Sequence, residues 1–290
     1  LAAYRRRHEF GDLRDPRRRR ALGAWIVRTH SFADLGLDAE RVVDAIVAAP
    51  PALGPALGTV FRLYAERFGK PRWGDKRPAY LRHLPEIRRM FPEAQIINIV
   101  RDGRDCVASL KETPWRSPDF GELIDHWARA ADASLRAARA FGPQDYHQVR
   151  YESLVADPET HLREICRFLG EDYDPAMARP GEMAPVAVPS YKTWHTRTHG
   201  DVTTERVRSW QQRLTAEEIA RCEAVFGTRL TRLGYQPSTT PQATSQVRLT
   251  RAWLTARDRL GPLRLLVEDT RSVVRAGKRQ PTSMLSTRSG

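Results

Sequence analysis

Three groups of residues in this chain have the types and spacing to act on an anion. Lys76 stands in a loop-like run, WGDKRP, at residues 73–78. An ammonium there is a compact, strongly hydrated point charge. Arg101 follows a short apolar run, Gln95 to Val100 (QIINIV), and Ser109 comes eight residues later, about two helical turns on. Such a run, bounded by polar residues, suits a strand covered on both faces. Ligands of open α/β sheets sit beyond the carboxyl ends of their strands, so Arg101 leaves the strand where an anion would be held. The third group is YKTWHTRTHGDVTTERVRSW, residues 191–210. Its density of His, Thr and Arg suits phosphate capture, with Arg206 and Arg208 as candidate ligands and Thr198 behind them.

Each group has a plainer reading. A lysine in a loop is usually just solvated. Arg101 could pair with Asp102 or Asp105 at the surface, and Ser109 could bond back to its own helix. His195 and His199 are four apart, but no third ligand accompanies them, so no metal site is expected.

The surrounding pattern supplies the elements that would position these residues. A helix is expected from Tyr80 to Met90, with Leu81, Leu84 and Ile87 on one face, ended by Phe91-Pro92. After the strand and the Arg101 turn, a helix resumes through Val107 and Leu110. Another is expected from Asp119 to Ala140, with Trp127 as a core residue. Tyr146 to Tyr151 (YHQVRY) reads as a second strand, leaving Tyr151 and Glu152 at its carboxyl end. Asp157 as N-cap, Pro158 at the first position and Gly170 at the end bracket a helix with Leu162, Ile165, Cys166 and Leu169 on its stripe. Thr215 and Glu218 form a capping box at the head of a helix reaching Phe226. Upstream, residues 22–49 read as helical, PPALGPALG as a break, and Leu63 as the start of a short helix.

Composition bounds the rest. The 290 residues are enough for one large α/β domain with appendages, expected as a basic segment at 1–20, the domain at 21–235, a polar linker at 236–246 and a basic amphipathic helical tail at 247–290. The net charge of +13 sits mostly at the ends: +5 over residues 1–20 and +7 over 241–290. With a nearly neutral centre, no specific nucleic-acid groove is expected. The tail is a candidate for packing on its own domain, for a partner, or for an anionic membrane surface. The three cysteines form no metal or disulfide pattern, and no apolar run approaches eighteen residues. A cytoplasmic protein is the expectation.

WGDKRP, FPEAQIINIVRDGRDCVASL and VRYESLVADPETHLREICRFLG, in that order, resemble the sulfotransferases that use 3′-phosphoadenylyl sulfate (PAPS), closest to the bacterial and tyrosylprotein branch. The blocks span Arg72 to Gly170, and weaker similarity continues to Tyr235. The resemblance implies an α/β fold: a P-loop-type parallel sheet flanked by helices, N-terminally incomplete, with the basic helical tail appended. It implies PAPS as co-substrate without a metal, and sulfuryl transfer to an acceptor hydroxyl or amine on a small molecule, peptide or glycan. Arg101 and Ser109 would hold the 3′-phosphate, Lys76 would assist transfer, and Tyr151 would contact the nucleoside. Residues 191–210 would be the second cofactor loop.

Departures matter as much. The family's G-x-x-R-S-G-T-type loop is not found, which is expected to reflect truncation ahead of Leu1. Pro78 stands where the cytosolic branch has a catalytic histidine. Thr113 stands where the tyrosylprotein branch has a further arginine, for which Lys111 is a candidate substitute. Two alternatives stand beside the enzyme: a noncatalytic module binding 3′-phosphonucleotides or polyanions, and a kinase-like phosphotransferase.

Overall fold

A computed structural model describes residues 2–113, 119–182 and 200–238. These fall into two compact units that divide after Asp75.

The first unit, residues 2–75, is all helical. Short helices α1 (Ala2–Arg5) and α2 (Arg7–Phe10) precede α3 (Pro16–Val27), α4 (Ala39–Ala48) and α5 (Leu53–Arg67). Asp15 caps α3 by accepting from the Arg17 N–H, with Pro16 at the first position, where no amide donor is needed. Leu22, Ile26, Phe32, Val42, Ile46, Val60 and Leu63 form the core. Gly23 lets α3 approach α4 closely, because a Cβ there would meet the Val43 Cα at 3.2 Å.

Two expectations are corrected here. Residues 22–49 are not one helical stretch: α3 stops at Val27 and a 3-10 turn, His30–Leu35, ends at Gly36 in the left-handed region. PPALGPALG is not a break throughout, because α5 begins at Leu53 and contains Gly54, Pro55 and Gly58. Pro55 is tolerated because the first-turn amides of a helix have no intrahelical acceptor to lose.

The second unit begins at Lys76. A 3-10 turn (Pro78–Arg82) and α6 (Leu84–Met90) lead into β1 (Ile96–Val100). Helices α7 (Gly103–Lys111) and α8 (Phe120–Ala140) connect it to β2 (Tyr146–Arg150). The strands pair in parallel, with Ile96 opposite Tyr146 and Val100 opposite Arg150. Parallel pairing requires such a crossover, which makes this an α/β arrangement. Then follow α9 (Tyr151–Ala156), α10 (Pro158–Leu169), α11 (Trp210–Arg213), α12 (Ala216–Phe226) and α13 (Thr228–Arg232). The caps of α10 and the capping box of α12 are as expected: Asp157 accepts from Thr160, Gly170 closes at φ 72°, and Thr215 and Glu218 bond reciprocally.

The β1 strand is not covered on both faces. Asn98 and Val100 are buried, but Ile97 and Ile99 are 38% and 55% exposed. On that face α10 lies against β2, where His147 stacks on Phe168, and does not bury the two isoleucines. The inward face carries a polar cluster. The Asn98 amide donates to Ser134 of α8 and to the Tyr146 hydroxyl, and Ser134 and Tyr146 both donate to Gln148. No described helix is long and apolar enough to cross a membrane.

Candidate functional site

The carboxyl ends of β1 and β2 carry the residues singled out from the sequence. The chain leaves β1 through Arg101 and Asp102 and enters α7 at Gly103, buried in the first turn. Glycine is required there by packing. A Cβ on Gly103 would lie 2.6 Å from Trp127 Cδ2 and 2.7 Å from Phe226 Cε2. The same Trp127 donates its indole N–H to the Arg101 carbonyl at 3.1 Å, so α8 fixes both the turn and the backbone that presents Arg101. Just beyond β2, in the first turn of α9, Glu152 accepts the Asp102 N–H at 2.9 Å and the Tyr235 hydroxyl at 3.0 Å, tying the two strand ends together.

Arg101 does not pair with Asp102 or Asp105. Its guanidinium lies over the Tyr151 ring, 4.4 Å from the centroid, and one terminal N–H donates to the Arg206 carbonyl at 2.8 Å. Its Nε is buried and, among the described residues, has no hydrogen-bond partner. A buried, unmet guanidinium donor costs free energy unless an acceptor arrives. The structure therefore brings together Arg101, Tyr151 and the backbone of Arg206, three of the expected residues.

The neighbouring acids have other work. Asp102 accepts from the Arg104 backbone and from its guanidinium, the latter at 2.7 Å, while Glu223 of α12 takes the other side of the same guanidinium at 2.5 Å. Arg104 is only 3% exposed and also lies 4.0 Å over the Trp210 ring. Burial works against its charge, but Asp102 and Glu223 outweigh that and hold it protonated beyond the ordinary arginine range. Arg104 is thus a buried structural ion. Asp105, fully buried, accepts from Arg208 N, Ser209 Oγ and Trp210 N.

Ser109 is half-buried on α7, and among the described residues its hydroxyl makes no hydrogen bond. Arg206 is half-buried, with its guanidinium 3.6 Å from Glu112. Arg208 is exposed and stands at φ 58°, the left-handed region. Lys76 is exposed and is not drawn into this network. Lys111, the candidate substitute for an arginine at Thr113, pairs with Glu218 of α12 at 2.6 Å. Thr198, His195 and His199, and the tail at 247–290, lie outside the described residues.

The donor set fits a phosphorylated nucleotide. Among the described residues it offers an arginine with an unmet buried donor, an unbonded hydroxyl on the helix that follows, an aromatic face, and two further arginines on the facing segment. The acids nearby are neutralised by Arg104 or by backbone N–H groups. Sequence reasoning missed Asp105 and Glu152 as supports, and it took Trp127 as core alone. The signal for Asp105 lay only in its one-turn spacing before Ser109.

A family model described as "Sulfotransferase family" matches residues 2–175. Protein-tyrosine sulfotransferase A of Caenorhabditis elegans is 24% identical over 59% of this chain and 47% of its own length. Protein-tyrosine sulfotransferase 1 of Danio rerio is 28% identical over 58% of this chain and 49% of its own. Nodulation protein NoeE of Sinorhizobium fredii is 28% identical over 60% and 47%. The chain spans about half the length of these relatives. A sulfotransferase domain from the curacin biosynthetic pathway shares the fold at a TM-score of 0.52, with 18% identity, covering 71% of this chain and 77% of that domain.

Proposed function

The chain belongs to the sulfotransferase family, and from that premise we propose that it transfers a sulfuryl group from PAPS to an acceptor hydroxyl or amine. The observation that carries this reading is Arg101: it stands at the end of a parallel strand, stacked on Tyr151, with a buried Nε that has no partner among the described residues. A 3′-phosphate would supply the missing acceptor.

In this reading Arg101 and Ser109 hold the 3′-phosphate, Tyr151 supports Arg101 and faces the nucleoside, and Arg206 and Arg208 with Thr198 close on it. Bound PAPS supplies the sulfuryl group. Lys76 offsets negative charge on the oxygen that sulfur leaves, as positioned cations do in phosphoryl transfer. Relatives named for protein tyrosine support a peptide acceptor, and a glycan or a small molecule would offer the same hydroxyl chemistry.

The test is thermal stabilisation by 3′,5′-ADP against 5′-AMP, with and without Arg101→Ala. At about a hundred times its dissociation constant, 3′,5′-ADP should add roughly 2.7 kcal/mol to the folded state. The substitution should abolish the difference between the two nucleotides. Equal stabilisation of the unsubstituted protein by both would sink the reading. A 3′,5′-ADP preference without any transfer would favour the noncatalytic binding module.

A further inference from the structure

The segment that carries Arg206 and Arg208 is held by α7 itself. Asp105 accepts three hydrogen bonds from it, at 2.9 Å from Arg208 N, 2.9 Å from Ser209 Oγ and 2.8 Å from Trp210 N. Arg213 donates to the Ala108 carbonyl at 3.1 Å and pairs with Glu112 at 2.6 Å, extending the contact along the same helix. Asp105 and Ser109 are four residues apart, so they share one helix face a turn from each other. The anchored stretch includes Arg208 at φ 58°, the one non-glycine residue among the described residues with a positive φ. Left-handed backbone in a residue with a Cβ persists only where its surroundings hold it, and such residues gather at ligand clamps.

We propose that Asp105 is a positioning residue of the donor site, pinning Arg206–Trp210 onto the helix face that carries Ser109 so that Arg206 and Arg208 are set before the anion arrives. This rests on the reading of the site as a 3′-phosphate site. Pre-setting matters because a loop ordered only on binding spends part of its contact free energy on its own ordering. The anchor also fixes the Arg206 carbonyl that receives the Arg101 guanidinium, so one carboxylate aligns arginines from two distant parts of the chain. Among the described residues Asp105 forms no ion pair, and the Arg101 charge acts on it only from a distance. Burial pushes its carboxyl above the ordinary range, and the hydrogen bonds from the loop pull the other way.

The test is a double-mutant cycle on nucleotide binding, using D105N, R208A and the double variant, each titrated with 3′,5′-ADP and 5′-AMP. Asparagine keeps the shape and one acceptor oxygen but places an N–H₂ where the second oxygen was. D105N should weaken 3′,5′-ADP about tenfold and 5′-AMP less than about twofold. In the R208A background it should add clearly less than about tenfold, because the part of its effect that runs through Arg208 is gone while Arg206 and Arg101 remain to be set. Equal weakening of both nucleotides, or additive losses in the cycle, would overturn the proposal and leave Asp105 a purely structural acid. If D105N fails to fold, Ser209→Ala removes one of the three bonds and should give a smaller loss confined to 3′,5′-ADP. Retained full affinity there would also overturn it. A wild-type protein that does not distinguish the nucleotides fails before any variant is made, which marks failure of the site reading itself and takes this proposal with it.

Discussion

Arg101 and Lys76 are cations proposed to serve the same donor, yet the fold treats them in opposite ways. Around Arg101 every neighbour is fixed. Its carbonyl is held by Trp127, the next amide by Glu152, the next residue by packing that admits only glycine, and the two after it by buried hydrogen bonds. Residues 66–78, with Lys76 among them, are exposed throughout. The difference follows from what each charge must do. Recognising a phosphate requires a guanidinium fork aimed in one direction, which only a rigid surround can supply. Offsetting charge on a departing oxygen requires an ammonium near it, and three rotatable donors on a flexible stem can adjust.

The contrast breaks first at Arg104. Arg104→Ala takes from Asp102 and Glu223 the buried guanidinium they share, and unfolding by denaturant should show a loss of about 3–5 kcal/mol. A loss within the range of an ordinary surface substitution would mean that water or another cation satisfies those acids. Next is Gly103→Ala. Its Cβ must displace Trp127 or Phe226, and overpacking of this kind costs about 1–3 kcal/mol. Because Trp127 also holds the Arg101 carbonyl, the preference for 3′,5′-ADP over 5′-AMP should fall with stability. A variant that loses stability and keeps that preference would show that Arg101 is placed independently of the turn. Smallest in stability is Lys76→Ala, with a change within about 0.5 kcal/mol. Nucleotide affinity should be retained while turnover drops by about 10²–10³-fold, the scale seen for loss of one group that stabilises developing charge. Unchanged turnover would remove Lys76 from the transfer step and with it the contrast.

Local rules made much of this legible beforehand. Asp157, Pro158 and Gly170 bracket α10, and Thr215 with Glu218 opens α12, because caps act over three or four residues and depend on nothing distant. Arg101 at a strand end followed by a helix was likewise readable from hydrophobic pattern. What escaped was set by partners far away in the chain. The bonds from Asp105 to Arg208, Ser209 and Trp210 cross more than a hundred residues, as does the pairing of Arg104 with Glu223. An RDGRD run cannot show which of its acids meets which base. The exposed Ile97 and Ile99 misled for the same reason: an apolar run states what could be buried, while burial depends on which neighbours are present. Pro55 misled because proline breaks helices in their interior and is harmless in the first turn.

Asn98, Ser134, Tyr146 and Gln148 have a bearing on accuracy of assembly. Two strands that met only through aliphatic side chains could slide by two residues and still present an apolar face. Sliding here would strand the Asn98 amide away from the Ser134 and Tyr146 oxygens, at about 1–3 kcal/mol for each buried group left unmet. It would also carry the strand ends past each other by about 6.6 Å, at roughly 3.3 Å per residue. Arg101 and Tyr151 follow directly on the paired residues Val100 and Arg150, and their stacking at 4.4 Å would not survive that offset. Three buried uncharged side chains, with Gln148 at the exposed edge, thus work as a vernier, setting the level at which the cation and the ring emerge together.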